Sequence, residues 1–293
     1  MIRLKVHLVD GTYELFRAFY GAPKRTGASG HEVGAAAGLL RSFLFLLSGE
    51  DVTHVAVAFD HVIESFRNDL YPGYKTSEGV DPELLAQFDL AEDVSRALGL
   101  VTWPMVEFEA DDAIATAALR FSQDHRVEQV VIASPDKDLT QCVRSDRIVC
   151  WDRMRSKVLD EEGVERKFGV RPRSIPDFLA LVGDSADGLP GVFGWGKKST
   201  SAVLTCYPHI EDIPENASTW KVKPRRAYDL AAELRHAAEA VRLYRRLATL
   251  RTDVSLTETL EDLQWVGAHR ERLEPLGEEI GEQEALDRVS RWR

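Results

Sequence analysis

Three short apolar runs, each soon followed by an aspartate, constrain this chain more than any other feature. LKVHLV (Leu4–Val9) leads into Asp10, HVAVAF (His54–Phe59) into Asp60, and QVVIAS (Gln129–Ser134) into Asp136 one proline later. Runs this short, dominated by β-branched and apolar residues, read as buried strands. Between them lie helix-like stretches, Val33–Leu47, Pro82–Leu98 and Ala110–Phe121. Strands alternating with helices predict an α/β fold, a central mostly parallel sheet with helices on both faces. Open sheets of that kind carry their functional sites beyond the carboxyl ends of the strands, so the three aspartates are expected on one rim. Glu109, Asp111 and Asp112 in FEADDAIATA stand at the start of a helix, where the dipole favours negative charge, and can join them.

A lone aspartate after a strand is most often a turn former or an N-cap. A gathering of them needs another account. SPDKDL adds Asp138 to Asp136, and GDSADG adds Asp184 and Asp187. Two carboxylates about 5 Å apart at an effective dielectric near 20 repel by roughly 3 kcal/mol. A cluster must therefore bind protons, splay into water or hold cations. Hard oxygen ligands without His or Cys select Mg²⁺ or Mn²⁺. Two such ions about 3.5–4 Å apart make a clamp for in-line displacement at phosphorus, one generating hydroxide and the other steadying the leaving oxygen.

Past Asp160 the pattern turns helical. DEEGVERKFGVRPRSIPDFLALVGD reads as short helices with a proline-containing connection, GKKSTSAVLTCY as another, and Tyr228–Leu250 as one longer amphipathic helix. Glu258–Arg293 is charged and carries no readable pattern. The expected division is an α/β core over 1–160 and a helical part over 161–293. Within the helical part GDSADGLPGVFGWGKKST places glycines at 188, 191, 194 and 196 before a helix whose first amides, with Lys197 and Lys198, suit a phosphate. A Gly/Pro-rich surface loop is the plainer reading of a lone GxG. Here Asp184 and Asp187 precede it on the same stretch.

The net charge of −11 argues at first against a nucleic-acid partner. Its distribution argues the other way: Gly188–Arg251 holds 11 Lys/Arg against 6 Asp/Glu. Three cysteines in no ligand-like spacing indicate neither a zinc site nor a disulfide framework. No apolar run is long enough to span a bilayer, and the expectation is a cytoplasmic monomer.

LVDGTYELFRAFY, VAFD, FRNDLYPGYK, FEADDAIAT, SPDKDL, FLALVGDSADGLPGVFGWGKKS and LATLRTDVSL, in this order from Leu4 to Leu256, resemble the 5′-nuclease or flap endonuclease family. The likeness is closest to the 5′–3′ exonuclease domain of bacterial DNA polymerase I. It implies a PIN-like 5′-nuclease core with a short arch region at about 66–92 and a helix–hairpin–helix-type motif at about 176–207, here expected as a free-standing enzyme. It also implies cleavage of DNA phosphodiesters at 5′ ends, nicks or flap junctions, leaving 5′-phosphate, in replication and repair beside a separate polymerase or ligase. Two or three divalent ions are implied. Asp10, Asp60, Glu109, Asp111 and Asp112 match the first metal region, and Asp136, Asp138, Asp184 and Asp187 the second. Arg17, Arg67, Tyr74 and Lys75 match positions near the scissile phosphate, Lys75 stabilising developing charge and Tyr74 stacking on a base. Gly191, Gly194, Gly196, Lys197, Lys198 and Ser199 match the element that grips duplex DNA, where relatives bind K⁺ through hairpin carbonyls.

The chain departs from the family at four points. Glu78 stands where relatives carry arginine, and the polar segment Thr76–Asp81 is short; both are expected to weaken flap threading and rate. Gly188 replaces a frequent asparagine, and Trp195 a frequent aliphatic residue, its indole packing either in the core or against DNA. Two other readings compete with a DNA 5′-nuclease: a PIN-like ribonuclease, and a DNA-junction-binding protein with weak turnover.

Overall fold

The computed structural model describes residues 4–293. In chain order the first elements are β1 (Leu4–Asp10), α1 (Gly11–Gly21), α2 (Gly34–Leu47), β2 (His54–Asp60) and α3 (Phe66–Leu70). Then come α4 (Pro82–Leu85), α5 (Phe88–Ala97), β3 (Val101–Met105), α6 (Ala110–Ser122) and β4 (Val127–Ala133). They are followed by β5 (Ile148–Asp152), β6 (Lys157–Leu159), α7 (Glu161–Phe168), α8 (Ile175–Val182) and α9 (Lys197–Cys206). The last are α10 (Ala227–His236), α11 (Ala238–Ala248), α12 (Arg270–Glu279) and α13 (Gln283–Leu286). The chain forms two compact units. One comprises Met1–Ile63, Ser77–Ser134 and Thr252–Arg293; the other comprises Glu64–Thr76 and Pro135–Arg251. This division does not follow the sequence-based boundary at 160, because the chain enters and leaves the second unit twice.

In the first unit four parallel strands lie in the order β3-β2-β1-β4. All seven residues of β2 are buried, as are Val6, Leu8 and Val9 of β1, as a parallel strand covered on both faces requires. The expected runs at Leu4–Val9, His54–Phe59 and Gln129–Ser134 are thus β1, β2 and β4. β3 was not anticipated. It carries Pro104, which an edge strand tolerates because one row of its backbone groups needs no ladder partner.

Helix α2 buries ten of its fourteen residues, and its first turn is capped from a distance. Gln87 Oε1 accepts from Ala35 N and Ala36 N at 3.0 and 3.1 Å, satisfying amides that lack intrahelical partners. The stretch expected as one helix over Pro82–Leu98 is two, α4 and α5, with Ala86 and Gln87 between them. The segment after Glu258, unreadable in sequence, is folded. Leu263, Trp265, Leu273 and Ile280 are buried, and Trp265 Nε1 donates to Leu98 O at 2.8 Å.

The second unit holds an antiparallel β5–β6 pair and helices α3 and α7–α11. α8 packs against both α9 and α11. The single helix expected over Tyr228–Leu250 is α10 and α11, broken at Ala237, whose φ of −91° and ψ of 11° leave the helical region. Each half buries its own apolar set: Leu230 and Ala231 in α10, and Val241, Leu247 and Ala248 in α11. Buried Asp177 on α8 accepts from His209 Nδ1 at 3.0 Å and Ile210 N at 3.1 Å and pairs with Arg245 Nε at 3.2 Å, fastening α8 to α11.

Candidate active site

The first group of acids sits at the carboxyl edge of β1 and β2. Asp10 ends β1 and caps α1, accepting from Tyr13 N at 2.8 Å. Its second oxygen accepts from Ser134 Oγ at 2.8 Å, just past β4. Asp60 ends β2, and its Oδ1 accepts from Ala110 N at 2.7 Å, at the positive end of α6. Glu109 N donates to Asp112 Oδ2 at 3.0 Å; both residues are buried, while Asp111 is half-exposed. Strand register brings the set about, since Asp10 lies opposite Ala58, two residues before Asp60.

The second group is tighter. One carboxylate oxygen from each of Asp138, Asp184 and Asp187 lies within 4.8 Å of the others. Asp138 opens a 3-10 turn, its amide donating to Asp136 Oδ1 at 2.8 Å, so half-exposed Asp136 orients it. Asp184 and Leu189 exchange backbone hydrogen bonds of 2.8 and 2.7 Å, turning the segment back so that Asp187 joins them. Buried Asp138 Oδ1 accepts no hydrogen bond. Burial, then the charges of Asp136 and Asp187, push the Asp138 carboxyl well above its ordinary range, against the pull of Lys137. Lys137, passed over in sequence, lies 3.7 Å from Asp138 Oδ1 and against Asp184 Oδ2. Burial lowers its pKa, but Asp138, Asp184 and Asp136 together hold it above the usual lysine range. Crowded oxygens, two of them (Asp138 Oδ1 and Asp184 Oδ2) buried and accepting no hydrogen bond, fit a hard divalent cation.

Among the described residues only one other such trio meets, His61, Asp89 and Glu92. There His61 Nδ1 lies 2.8 Å and Arg96 Nη2 2.9 Å from Glu92, so its charge is already paired.

The residues expected around the phosphate separate into two kinds. Lys75 Nζ lies 3.9 Å from Asp187 Oδ1 and its amide donates to Asp187 O at 3.2 Å, placing a cation beside the carboxylate trio. Arg67, by contrast, is fully buried. It donates to Leu247 O at 2.8 Å and Thr249 O at 3.4 Å, covering the carboxyl end of α11. Tyr74 is 5 % exposed, with Arg67 Cζ 6.0 Å and Lys75 Nζ 5.9 Å from its ring centroid, so little of the ring is open to stack on a base. Arg17 pairs with buried Glu14 and donates to Ser42 Oγ at 2.9 Å. Glu78 is exposed.

In the hairpin before α9, Trp195 takes the core alternative: it is buried and donates from Nε1 to Leu230 O at 3.0 Å. Gly188 has φ +73°, and a Cβ there would stand 2.1 Å from Gly73 O, which accounts for glycine at this position. Gly196 N meets Ser199 Oγ at 3.1 Å at the head of α9, leaving Lys197 and Lys198 exposed. A cavity of about 620 Å³ within this unit is lined by Asp184 together with Lys137, Lys167, Lys197 and Lys198. Lys167, on α7, had no sequence signal beyond its charge.

Two family models cover the chain: the 5′-3′ exonuclease N-terminal resolvase-like domain over residues 5–169, and the 5′-3′ exonuclease C-terminal SAM fold over 170–271. The chain belongs to the 5′-3′ exonuclease and flap endonuclease family. It is 33% identical over 260 residues to a 5′-3′ exonuclease of Aquifex aeolicus, covering 88% of this chain and 86% of that protein. It is 37% identical over 265 residues to a DNA polymerase I of Rhizobium leguminosarum, covering 87% of this chain and 25% of that one. Such polymerases are matched over only a quarter to a third of their length. The fold is that of T5 5′-exonuclease solved with zinc bound, at a TM-score of 0.69, 18% identity, and 95% and 98% of the two chains. It is also that of the catalytic core of Rad2 solved with DNA substrate, at a TM-score of 0.61, 14% identity, and 98% and 92%. The family's chemistry is that of a nuclease. Among the described residues no helix is long and apolar enough to cross a membrane.

Proposed function

We propose that this chain is a Mg²⁺- or Mn²⁺-dependent 5′-nuclease that hydrolyses DNA phosphodiester bonds at 5′ ends, nicks or flap junctions. The observation that carries this reading is the trio Asp138, Asp184 and Asp187, with an unsatisfied buried oxygen and Lys75 beside it. That trio would hold one divalent ion, Asp136 orienting Asp138. Asp10, Asp60, Glu109, Asp111 and Asp112 would serve the first metal region. A bound ion supplies positive charge that offsets both the carboxylates and the charge developing on the phosphoryl group. Lys75 adds to that charge from the protein side. Arg67 and Tyr74 act from within, fixing the segment that carries Lys75. Lys197, Lys198 and the first amides of α9 grip the duplex backbone, with Gly191, Gly194 and Gly196 shaping the hairpin where K⁺ is expected.

The test is incubation with Mg²⁺ or Mn²⁺ on 5′-labelled flap, nicked and single-stranded DNA and on matched RNA. The reading expects DNA products with 5′-phosphate, preferentially from branched or nicked duplex. Cleavage of RNA alone would move the chain to the ribonuclease reading. Tight junction binding without products would make it a binding protein.

A further inference from the structure

The turn before α9 carries an aromatic side chain that the fold leaves in water. Val192 and Trp195 are 7% and 3% exposed, whereas Phe193 between them is 74% exposed. The backbone brings this about. Trp195 N donates to Val192 O at 3.0 Å and Gly194 has φ +83°, the pattern of a type II turn with Phe193 at its first corner. Both flanks are fastened: Val192 N donates to Leu181 O at 2.8 Å and Trp195 Nε1 to Leu230 O at 3.0 Å. Phe193 therefore cannot turn inward without breaking these anchors, and it is held outward in one place.

A single exposed aromatic is ordinary on a protein surface. The setting of this one is not. Four and five residues on, Lys197 and Lys198 stand exposed at the head of ten-residue α9. Four residues of chain span at most about 14 Å, and the minor groove of B-DNA is about 6 Å wide. A backbone phosphate held at Lys197 and Lys198 thus puts that groove within reach of the phenyl ring. The surrounding stretch Gly188–Arg251, with 11 basic and 6 acidic residues, matches a polyanion. Apolar side chains that enter DNA in this manner pack into the minor groove against base steps.

We propose that Phe193 is a minor-groove contact, entering duplex DNA beside the backbone that α9 holds. This rests on the reading of the hairpin as the duplex grip. Phe193 then adds an apolar, salt-independent part to an otherwise electrostatic interaction and fixes where the duplex sits relative to α9.

The test compares Phe193→Ala with the Lys197→Ala/Lys198→Ala double variant in equilibrium binding to nicked duplex DNA across a salt series, with EDTA present to prevent hydrolysis. 2-Aminopurine placed along the duplex reports local unstacking. Phe193→Ala should bind about tenfold more weakly with an unchanged salt slope, because no counterion is displaced by a phenyl ring. It should lose the 2-aminopurine response and unfold at the wild-type temperature. The lysine variant should flatten the salt slope. Wild-type affinity and fluorescence in Phe193→Ala, with weakened binding in the lysine variant, would overturn the inference alone. Unchanged binding in both would overturn the duplex-grip reading with it.

Discussion

Asp138→Asn is expected to stabilise the protein without metal and to remove the stabilisation that metal confers. The magnitude follows from the trio's spacing. At separations up to 4.8 Å, each like-charge pair costs roughly 3 kcal/mol at an effective dielectric near 20. The substitution removes two such pairs, with Asp184 and Asp187. It also removes the attraction of Lys137, 3.7 Å away, roughly 4 kcal/mol on the same scale. The net gain is about 2 kcal/mol, before relief of the repulsion from Asp136 and of the cost of burying a charge. For a protein of this size that raises Tm by about 3 °C. The assay is thermal unfolding in EDTA and again in millimolar Mg²⁺ or Mn²⁺, at mildly alkaline pH because the Asp138 carboxyl is pushed above its ordinary range. Wild type should gain stability with metal through linkage to the folded state; Asp138→Asn should start higher and gain less. A variant that melts lower in EDTA and keeps the full metal-induced rise would refute the reasoning.

Arg67→Ala should cost about 3 kcal/mol in urea unfolding, because two carbonyls at the end of α11 lose their donors, and Arg67→Lys should not restore it. Full stability with lost cleavage would instead make Arg67 a direct phosphate contact. Gly188→Asn, although asparagine tolerates positive φ, should destabilise by about 2 kcal/mol or more because its Cβ meets Gly73 O; an unshifted Tm would contradict this. Burial, against Glu261 and with Arg126, holds the His54 pKa below 6.5. The folded value lies under the unfolded one, so this contribution is complete above about pH 6.5 and is lost as pH falls through the folded value. His54→Gln should flatten the decline of stability over that acidic range, and an identical pH profile would refute it.

Particular residues explain what could be read beforehand. β1, β2 and β4 were legible because a strand buried on both faces must be apolar throughout, and the aspartate after each marks the rim. β3 was not, since VTWPM mixes threonine, tryptophan and proline as only an edge strand can. The break at Ala237 left no trace because alanine favours a helix, and the interruption comes from two faces packing separately. Gln87 looked like an ordinary helical residue; its role as a cap for α2 is purely tertiary. At the site, the acids could be named from spacing, but which of them crowd together depends on backbone turns. Asp138, Asp184 and Asp187 meet, while Asp136 turns to hold the Asp138 amide. Lys137 was hidden between two more conspicuous neighbours. The resemblance places Arg67 and Tyr74 near the scissile phosphate, but it carries no information on burial, and both side chains are buried.

The account depends on cations occupying these carboxylates. Free Mn²⁺ measured by electron paramagnetic resonance during titration into the purified protein tests that most directly. Wild type should take up at least one ion tightly, and Asp184→Asn should lose that ion. Uptake that is absent in wild type, or identical in the variant, would contradict the account.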